Sequence, residues 1–360
     1  MLMSTSHTQH NGRQIYLDAL RIIATFGVLF NHTNTKGFTL FTVATDSALF
    51  PIYLFCAAAC KVAVPVFLMI SGALLLKKEE PFPVILKKRF LKFLVILFFT
   101  ALIIYLYFLG WDLKRFSLRS FLRQLYSSNI TASLWYLYAY LAYILTLPFL
   151  RKLASTMEPK DYLYLTGMMV LVSALRCFEL LALDYKVHYH SDFNLFTTIN
   201  IVYYPLMGYF LANKLRDENI TAKTTILSCA VGFLFLIVNS WLTYTWCNHL
   251  GEWNTETCQN FLHRFVFFPA IALFILMRFV FLKIRLSQTS QKVLVYLGSC
   301  TFGIYLFERI YRNETLFVFD LLDPYLPRLL ACMVWVFVAF LFGLLVTAIL
   351  KKIPVIRKYI

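Results

Sequence analysis

Within residues 16–33 of this 360-residue chain, three ionisable side chains interrupt a mainly apolar run: Asp18, Arg21 and His32. A guanidinium presents a planar fork of N–H donors suited to phosphate or carboxylate. A neutral imidazole can take a hydroxyl proton near pH 7 or act as a nucleophile. Three residues apart, Asp18 and Arg21 can pair on one helix face. Arg21 and His32 are eleven apart, close to three full turns, so they share a face about 16 Å apart along the axis. The combination offers an anion-binding group at one end of a helix and a titratable base at the other. An interfacial ion pair with a histidine among lipid headgroups has the same spacing, which alone does not separate the two readings.

The elements that carry these residues are set by composition. The chain is 60% hydrophobic, 18% aromatic and only 14% charged, against roughly 45–50% apolar and 25% charged in soluble domains. It has too few polar groups to cover a water-facing surface, and disorder is excluded by its apolar and aromatic content. The expected class is an all-α integral membrane protein. A bilayer core of about 30 Å needs about 20 apolar residues per helix, and ten stretches qualify: 15–32, 51–76, 90–109, 133–150, 162–183, 196–212, 224–246, 261–282, 293–310 and 329–350. Uniformly apolar stretches such as 90–109 argue against a β-barrel, whose strands alternate.

The net charge of +16 follows from topology and not from nucleic-acid binding. Of 34 Lys and Arg residues, 21 fall at the termini, in the connections after spans 2, 4, 6 and 8 and in the turns that flank them, nine in the opposite connections, and four (Arg21, Lys61, Arg176, Arg264) in or beside spans. Cytoplasmic loops are enriched in Lys and Arg, so both termini are expected in the cytoplasm. The expected plan is a polar N-terminus at 1–14 with no cleaved signal, one transmembrane domain at 15–350 and a basic tail at 351–360. Arg115, Arg119 and Arg123 recur every fourth residue beside Phe116, Leu122 and Leu125, which reads as a short basic helix on the outer surface or a solvated loop. No inverted repeat or pair of broken helices is visible to support the alternative reading, a membrane transporter or exporter of a polar metabolite.

Four segments in register then point to a family. Residues 16–33 carry Arg-x10-His. Lys61 precedes Val64-Pro65-Val66-Phe67-Leu68-Met69-Ile70-Ser71-Gly72. Further along come Ser133-Leu134-Trp135-Tyr136-Leu137-Tyr138 and Leu297-Gly298-Ser299-Cys300-Thr301-Phe302-Gly303-Ile304-Tyr305-Leu306. Together they resemble the membrane acyltransferase 3 family, in its stand-alone form without an SGNH domain. The resemblance implies an O-acyltransferase of the cell (plasma or inner) membrane that moves a short acyl group, acetyl by preference, from cytoplasmic acyl-CoA to a hydroxyl of a surface polysaccharide, lipopolysaccharide or lipid-linked sugar. Two positions depart from the family's pattern: Ser133 replaces a histidine before Leu-Trp, and Phe307-Glu308 stands where a histidine often follows Tyr-Leu, a place Glu308 fills only in part.

Given that resemblance, His32 is expected as base and Arg21 as the donor-phosphate contact, with Asp18 beside it. Lys88 and Arg89 are further phosphate contacts or ordinary cytoplasmic-side charges. Asp46 either orients the imidazole or is a solvated loop acid. Ser71 is an oxyanion donor or nucleophile, or else allows close helix packing. Trp135, Tyr136 and Tyr138 either stack on a sugar or belong to an interfacial belt. Arg176 and Glu179 face the acceptor or neutralise each other. His188 and His190 beside Asp184 and Asp192 read as a hydrated loop, and no metal is expected. Cys247 and Cys258 share one outer loop and can pair where conditions are oxidising. The topology predicts that Lys78→Cys reacts with an impermeant thiol reagent only after permeabilisation, whereas Asn254→Cys reacts in intact cells; the reverse pattern would invert the proposed passage.

Overall fold

Hydrocarbon offers no partner to a backbone N–H or C=O, so apolar runs that enter it become helices. The computed structural model follows that rule. It describes residues 9–10, 13–127, 130–183, 186 and 196–360. A two-residue antiparallel pairing, β1 (Gln9–His10) with β2 (Arg13–Gln14), precedes an all-helical chain. The helices are α1 (Ile15–Asn31), α2 (Phe50–Cys60), α3 (Ala63–Leu75), α4 (Phe82–Val84), α5 (Leu91–Phe108), α6 (Leu118–Tyr126), α7 (Trp135–Thr156), α8 (Pro159–Ala182), α9 (Phe196–Tyr209), α10 (Ala222–Leu250), α11 (Thr255–Leu262), α12 (Phe267–Lys283), α13 (Gln288–Leu306), α14 (Glu308–Glu314), α15 (Leu316–Leu322), α16 (Arg328–Leu350) and α17 (Pro354–Arg357). Among the described residues, six helices are long and apolar enough to cross a membrane, or up to eight if each of two bent pairs is one span. The chain is a multi-pass membrane protein.

The helix is broken within two of the stretches that the sequence reading took as continuous spans, 261–282 and 293–310. α11 and α12 meet at 58°, and α13 and α14 at 83°. A break at membrane depth is tolerated only where protein satisfies the freed backbone, and here it does. At the first break the Phe265 N–H donates to Asn239 Oδ1 (3.2 Å), Ser173 Oγ donates to the Arg264 carbonyl (2.8 Å), and Arg264 Nε donates to the Asn260 carbonyl (2.7 Å). Past the second, the Trp335 indole donates to the Arg312 carbonyl and to Thr315 Oγ1, both at 3.2 Å.

The chain forms two compact units, residues 1–77 with 150–298 and residues 78–149 with 299–360. In the first, α3 and α9 cross with their backbones in contact. A β-carbon on Gly72 would run into the Pro205 carbonyl, and one on Gly208 into the Met69 carbonyl. Small residues permit this approach, which dispersion and not the hydrophobic effect must hold together in lipid. Arg278 of α12, buried, donates to the carbonyls of Leu211 and Leu215 (the latter at 2.9 Å) and pairs with Asp217 at 2.5 Å. It thereby serves the unpaired carbonyls where α9 ends through a wide turn at Phe210–Lys214. Cys247 of α10 and Cys258 of α11 form a disulfide.

In the second unit, Ser117 Oγ caps α6 by accepting from the Ser120 N–H at 3.3 Å, and Phe121 is fully buried against Phe98 and Tyr105, both at 5.5 Å. The basic helix therefore exists but starts later than its spacing suggested. Arg119 and Arg123 lie on α6, while Arg115 sits in a separate 3-10 turn at Leu113–Arg115, because the Ser117 cap begins a new helix.

Gly72→Ala or Gly208→Ala is expected to lower the unfolding temperature of the detergent-purified protein, at an overpacking cost of about 1–3 kcal/mol or more. Gly167, helical with nothing within 4 Å of a built β-carbon, is the control, and Gly167→Ala should be neutral or slightly stabilising. Differential scanning fluorimetry checks both, and equal effects at all three positions would exclude the backbone contact.

Candidate functional site

α1 runs unbroken from Ile15 to Asn31, with His32 as its C-cap, so the helical spacing between Arg21 and His32 is kept. Asp18 is fully buried and accepts from Arg21 Nη1 at 2.5 Å; the Arg21 side chain is 21% exposed. A glycine makes room for that carboxylate. Gly298 of α13 lies so close that a β-carbon there would stand 2.6 Å from Asp18 Cβ and 2.7 Å from Oδ1. The segment 297–306, chosen above on motif alone, thus has its first glycine packed on the residue that holds Arg21.

At the other end of α1 three helix ends converge. Cys60 Sγ, at the end of α2, lies 3.8 Å from Asn31 Oδ1, next to half-buried His32. Lys61, in the turn between α2 and α3, places Nζ 4.5 Å from the centroid of the Phe38 ring and 3.3 Å from Gln259 Oε1 of α11. His263, which caps α11, is close enough to Lys61 and Arg264 to feel both charges. Asn31, His32, Lys61, Gln259 and His263 thus gather around the ends of α1, α2 and α11. Asp46 stands apart, exposed, with no hydrogen bond or ion pair among the described residues. Ser71 Oγ donates to the Phe67 carbonyl at 2.9 Å, one residue from the α3–α9 contact at Gly72.

The remaining candidates lie in the second unit. Arg89 is gripped in bidentate fashion by Glu80 (2.8 and 2.6 Å), and Lys88 is exposed. Trp135 is half exposed at the start of α7, beside Tyr136, whose ring meets Tyr305 edge-on at 5.7 Å. The Tyr305 hydroxyl donates to the Ser133 carbonyl at 2.7 Å. Glu308 is buried and accepts from Arg312 Nε at 2.6 Å. Tyr138 donates its hydroxyl to the Leu125 carbonyl of α6. Both departures from the family pattern, Ser133 and Glu308, are therefore neighbours of Tyr305.

A family model described as an acyltransferase domain matches residues 14–352. The chain belongs to the acyltransferase 3 family. No curated protein and no solved structure gives a significant match. The match in this acyltransferase-family chain begins just ahead of α1 and runs past the end of α16, so it covers most of both units.

Two partners in this acyltransferase-family protein escaped the sequence reading, and one more residue near the site did too. Arg312 was counted as a loop charge, although it lies four residues after Glu308 and is its ion-pair partner; the i,i+4 spacing was the available signal. Glu80 had no such signal, being nine residues from Arg89 across a turn. His263 sits beside Arg264, already noted at a span edge, and an ionisable residue there merits a functional question by default. Outside the first unit's polar end, Arg176 pairs with buried Glu179 at 2.7 Å. Asp184, His188, His190 and Asp192 lie outside the described residues. Among the described residues, no three His, Cys, Asp or Glu side chains cluster to hold a metal.

Removing one partner of a buried ion pair leaves an uncompensated charge at a cost of about 3–5 kcal/mol. Glu308→Leu is therefore expected to destabilise the protein strongly, and the double replacement Glu308→Leu with Arg312→Met to recover most of that loss. Thermal unfolding of the three variants measures the coupling; additive losses would mean the pair does not act as a unit.

Proposed function

We propose that this protein is an integral-membrane O-acyltransferase that moves a short acyl group, acetyl in the simplest case, from cytoplasmic acyl-CoA to a sugar hydroxyl of a cell-surface glycan or lipid-linked precursor. The single observation that carries the reading is the unbroken α1 in a chain of the acyltransferase 3 family, with Arg21 held by Asp18 at one end and His32 at the other. In this reading residues 15–350 form one domain with ten spans in a plasma or inner membrane and both termini in the cytoplasm. The excess of Lys and Arg in one set of connections supports that orientation. So does the Cys247–Cys258 disulfide at the opposite end of α10 from residue 222, because disulfides persist in oxidising compartments.

Arg21 suits the phosphates of CoA because its fork matches phosphate oxygens, and Asp18 fixes the direction in which the fork points. The pantetheine arm is long enough to carry the thioester toward His32, some 16 Å along the helix. There the imidazole takes the acceptor hydroxyl proton as the oxygen attacks the thioester carbonyl. The C–S bond then breaks, and the imidazolium returns its proton to the departing CoA thiolate. Lys88 and Arg89 lie on the side where the donor enters in this reading. Trp135 and Tyr136 are the aromatic faces available to a sugar.

The test is mass analysis of surface polysaccharide from cells with and without the protein, where an acyl-sized difference identifies donor and acceptor class together. In purified protein supplied with labelled acetyl-CoA and that glycan, His32→Ala is expected to reduce transfer about 10²–10⁴-fold while leaving CoA binding intact. Arg21→Lys should weaken CoA binding by roughly tenfold or more, since a point charge does not replace the fork. Wild-type transfer by both variants would overturn the assignment.

A further inference from the structure

Among the described residues, most cations that are drawn into the protein hold a carboxylate. Arg21, Arg176, Arg278 and Arg312 each hold a carboxylate, from Asp18, Glu179, Asp217 and Glu308. Arg264 donates to the Asn260 carbonyl, and Lys351 to the carbonyl and hydroxyl of Ser299. Lys61 also has only a neutral oxygen partner, and its contact is a single and longer one. Among the described residues its ammonium meets the Gln259 side-chain oxygen at 3.3 Å and the Phe38 ring at 4.5 Å, and no carboxylate pairs with it.

Its surroundings add positive potential. Arg264 and Lys61 both lie close enough to His263 to act on it, so two cations share this region. Helix ends of both signs meet here, since α3 and α12 begin where α1, α2 and α11 end, so the surplus charge rests on the side chains. A low-dielectric wall with surplus positive charge and no internal counter-ion attracts an anion. Gln259 follows Cys258, the disulfide partner of Cys247, so this subsite sits at the oxidising end of the bundle, beside His32.

We propose that Lys61, with Gln259 and His263, binds the carboxylate of an acidic sugar and so selects a uronate-type acceptor. The inference rests on the acyltransferase reading above and deepens it. That reading places the donor's phosphates at Arg21, the other end of α1, so the anion at Lys61 belongs to the acceptor. An ammonium with three rotatable donors suits a carboxylate that must also leave as part of the product. His263 positions that carboxylate, and His32 remains the base.

The test uses full-length protein in detergent free of anionic lipid, with p-nitrophenyl β-D-glucuronide and the neutral p-nitrophenyl β-D-glucoside as probes and acetyl-CoA as the donor. Wild type is expected to bind the glucuronide at least tenfold more tightly than the glucoside by calorimetry. Lys61→Met should lose that preference and Lys61→Arg should keep it, both binding CoA as wild type does. Gln259→Glu, which supplies Lys61 with an internal carboxylate, should also lose the preference while remaining folded, and covers the case in which Lys61→Met does not fold. Equal binding of the two probes by wild type overturns the proposal, as does an undiminished preference in Gln259→Glu. An equal loss of turnover with charged and neutral acceptors in Lys61→Met would assign Lys61 to the transition state instead and likewise overturn it. Failure of wild type to bind CoA would count against the acyltransferase reading itself; CoA binding without a glucuronide preference would remove only this inference.

Discussion

A charge inside this protein must find its partner in the fold or in a bound ligand, because hydrocarbon supplies no counter-ion and no hydrogen bond. That constraint explains more of the structure than any single apolar contact. Asp18 is buried because Arg21 is beside it, and Gly298 is a glycine where a side chain would displace that carboxylate. Arg278 is tolerated because the end of α9 leaves carbonyls that need a donor and Asp217 completes its charge. Glu308 enters the apolar interior only with Arg312 one turn away.

The same constraint shows where the fold spends its irregular backbone. α11 and α12 part at a sharp angle, and side chains from α8 and α10 bond the exposed amide and carbonyl there. The ends of α1 and α2 arrive at this break, which brings His32, Lys61 and His263 to one region. A straight helix at 261–282 would leave no such gathering point, since continuous helices keep their polar backbone atoms to themselves. Satisfying a break with Asn239 and Ser173 is thus the structural condition for a polar site at this depth.

Much of the site was legible from residue types and spacing. The Asp18–Arg21 pair and the shared face with His32 follow from helical periodicity once 15–32 is known to be helical. The basic helix at Arg119 and Arg123 was also legible, but its start was misplaced at Arg115, because periodicity does not register a cap such as Ser117. The bends at 263–266 and at Phe307 were passed over because hydropathy averages across them, although His263, Arg264 and Pro269 at the first and Glu308 and Arg309 at the second were local signals. The Arg89–Glu80 pair and the approach of Gln259 to Lys61 depend on how the chain turns, which no local pattern encodes.

Composition and charge placement alone determined that this chain is a helical membrane protein with a cation, an acid and an imidazole on one helix. Helix period and hydropathy are local properties that a few neighbouring residues specify. Tertiary structure alone decided that Asp18 lies under Gly298, that Lys61 finds Gln259 and no carboxylate, and that α1, α2 and α11 end together. These are long-range contacts, 198 residues apart for Lys61 and Gln259, and they exist because packing and charge compensation must be satisfied over the whole bundle at once.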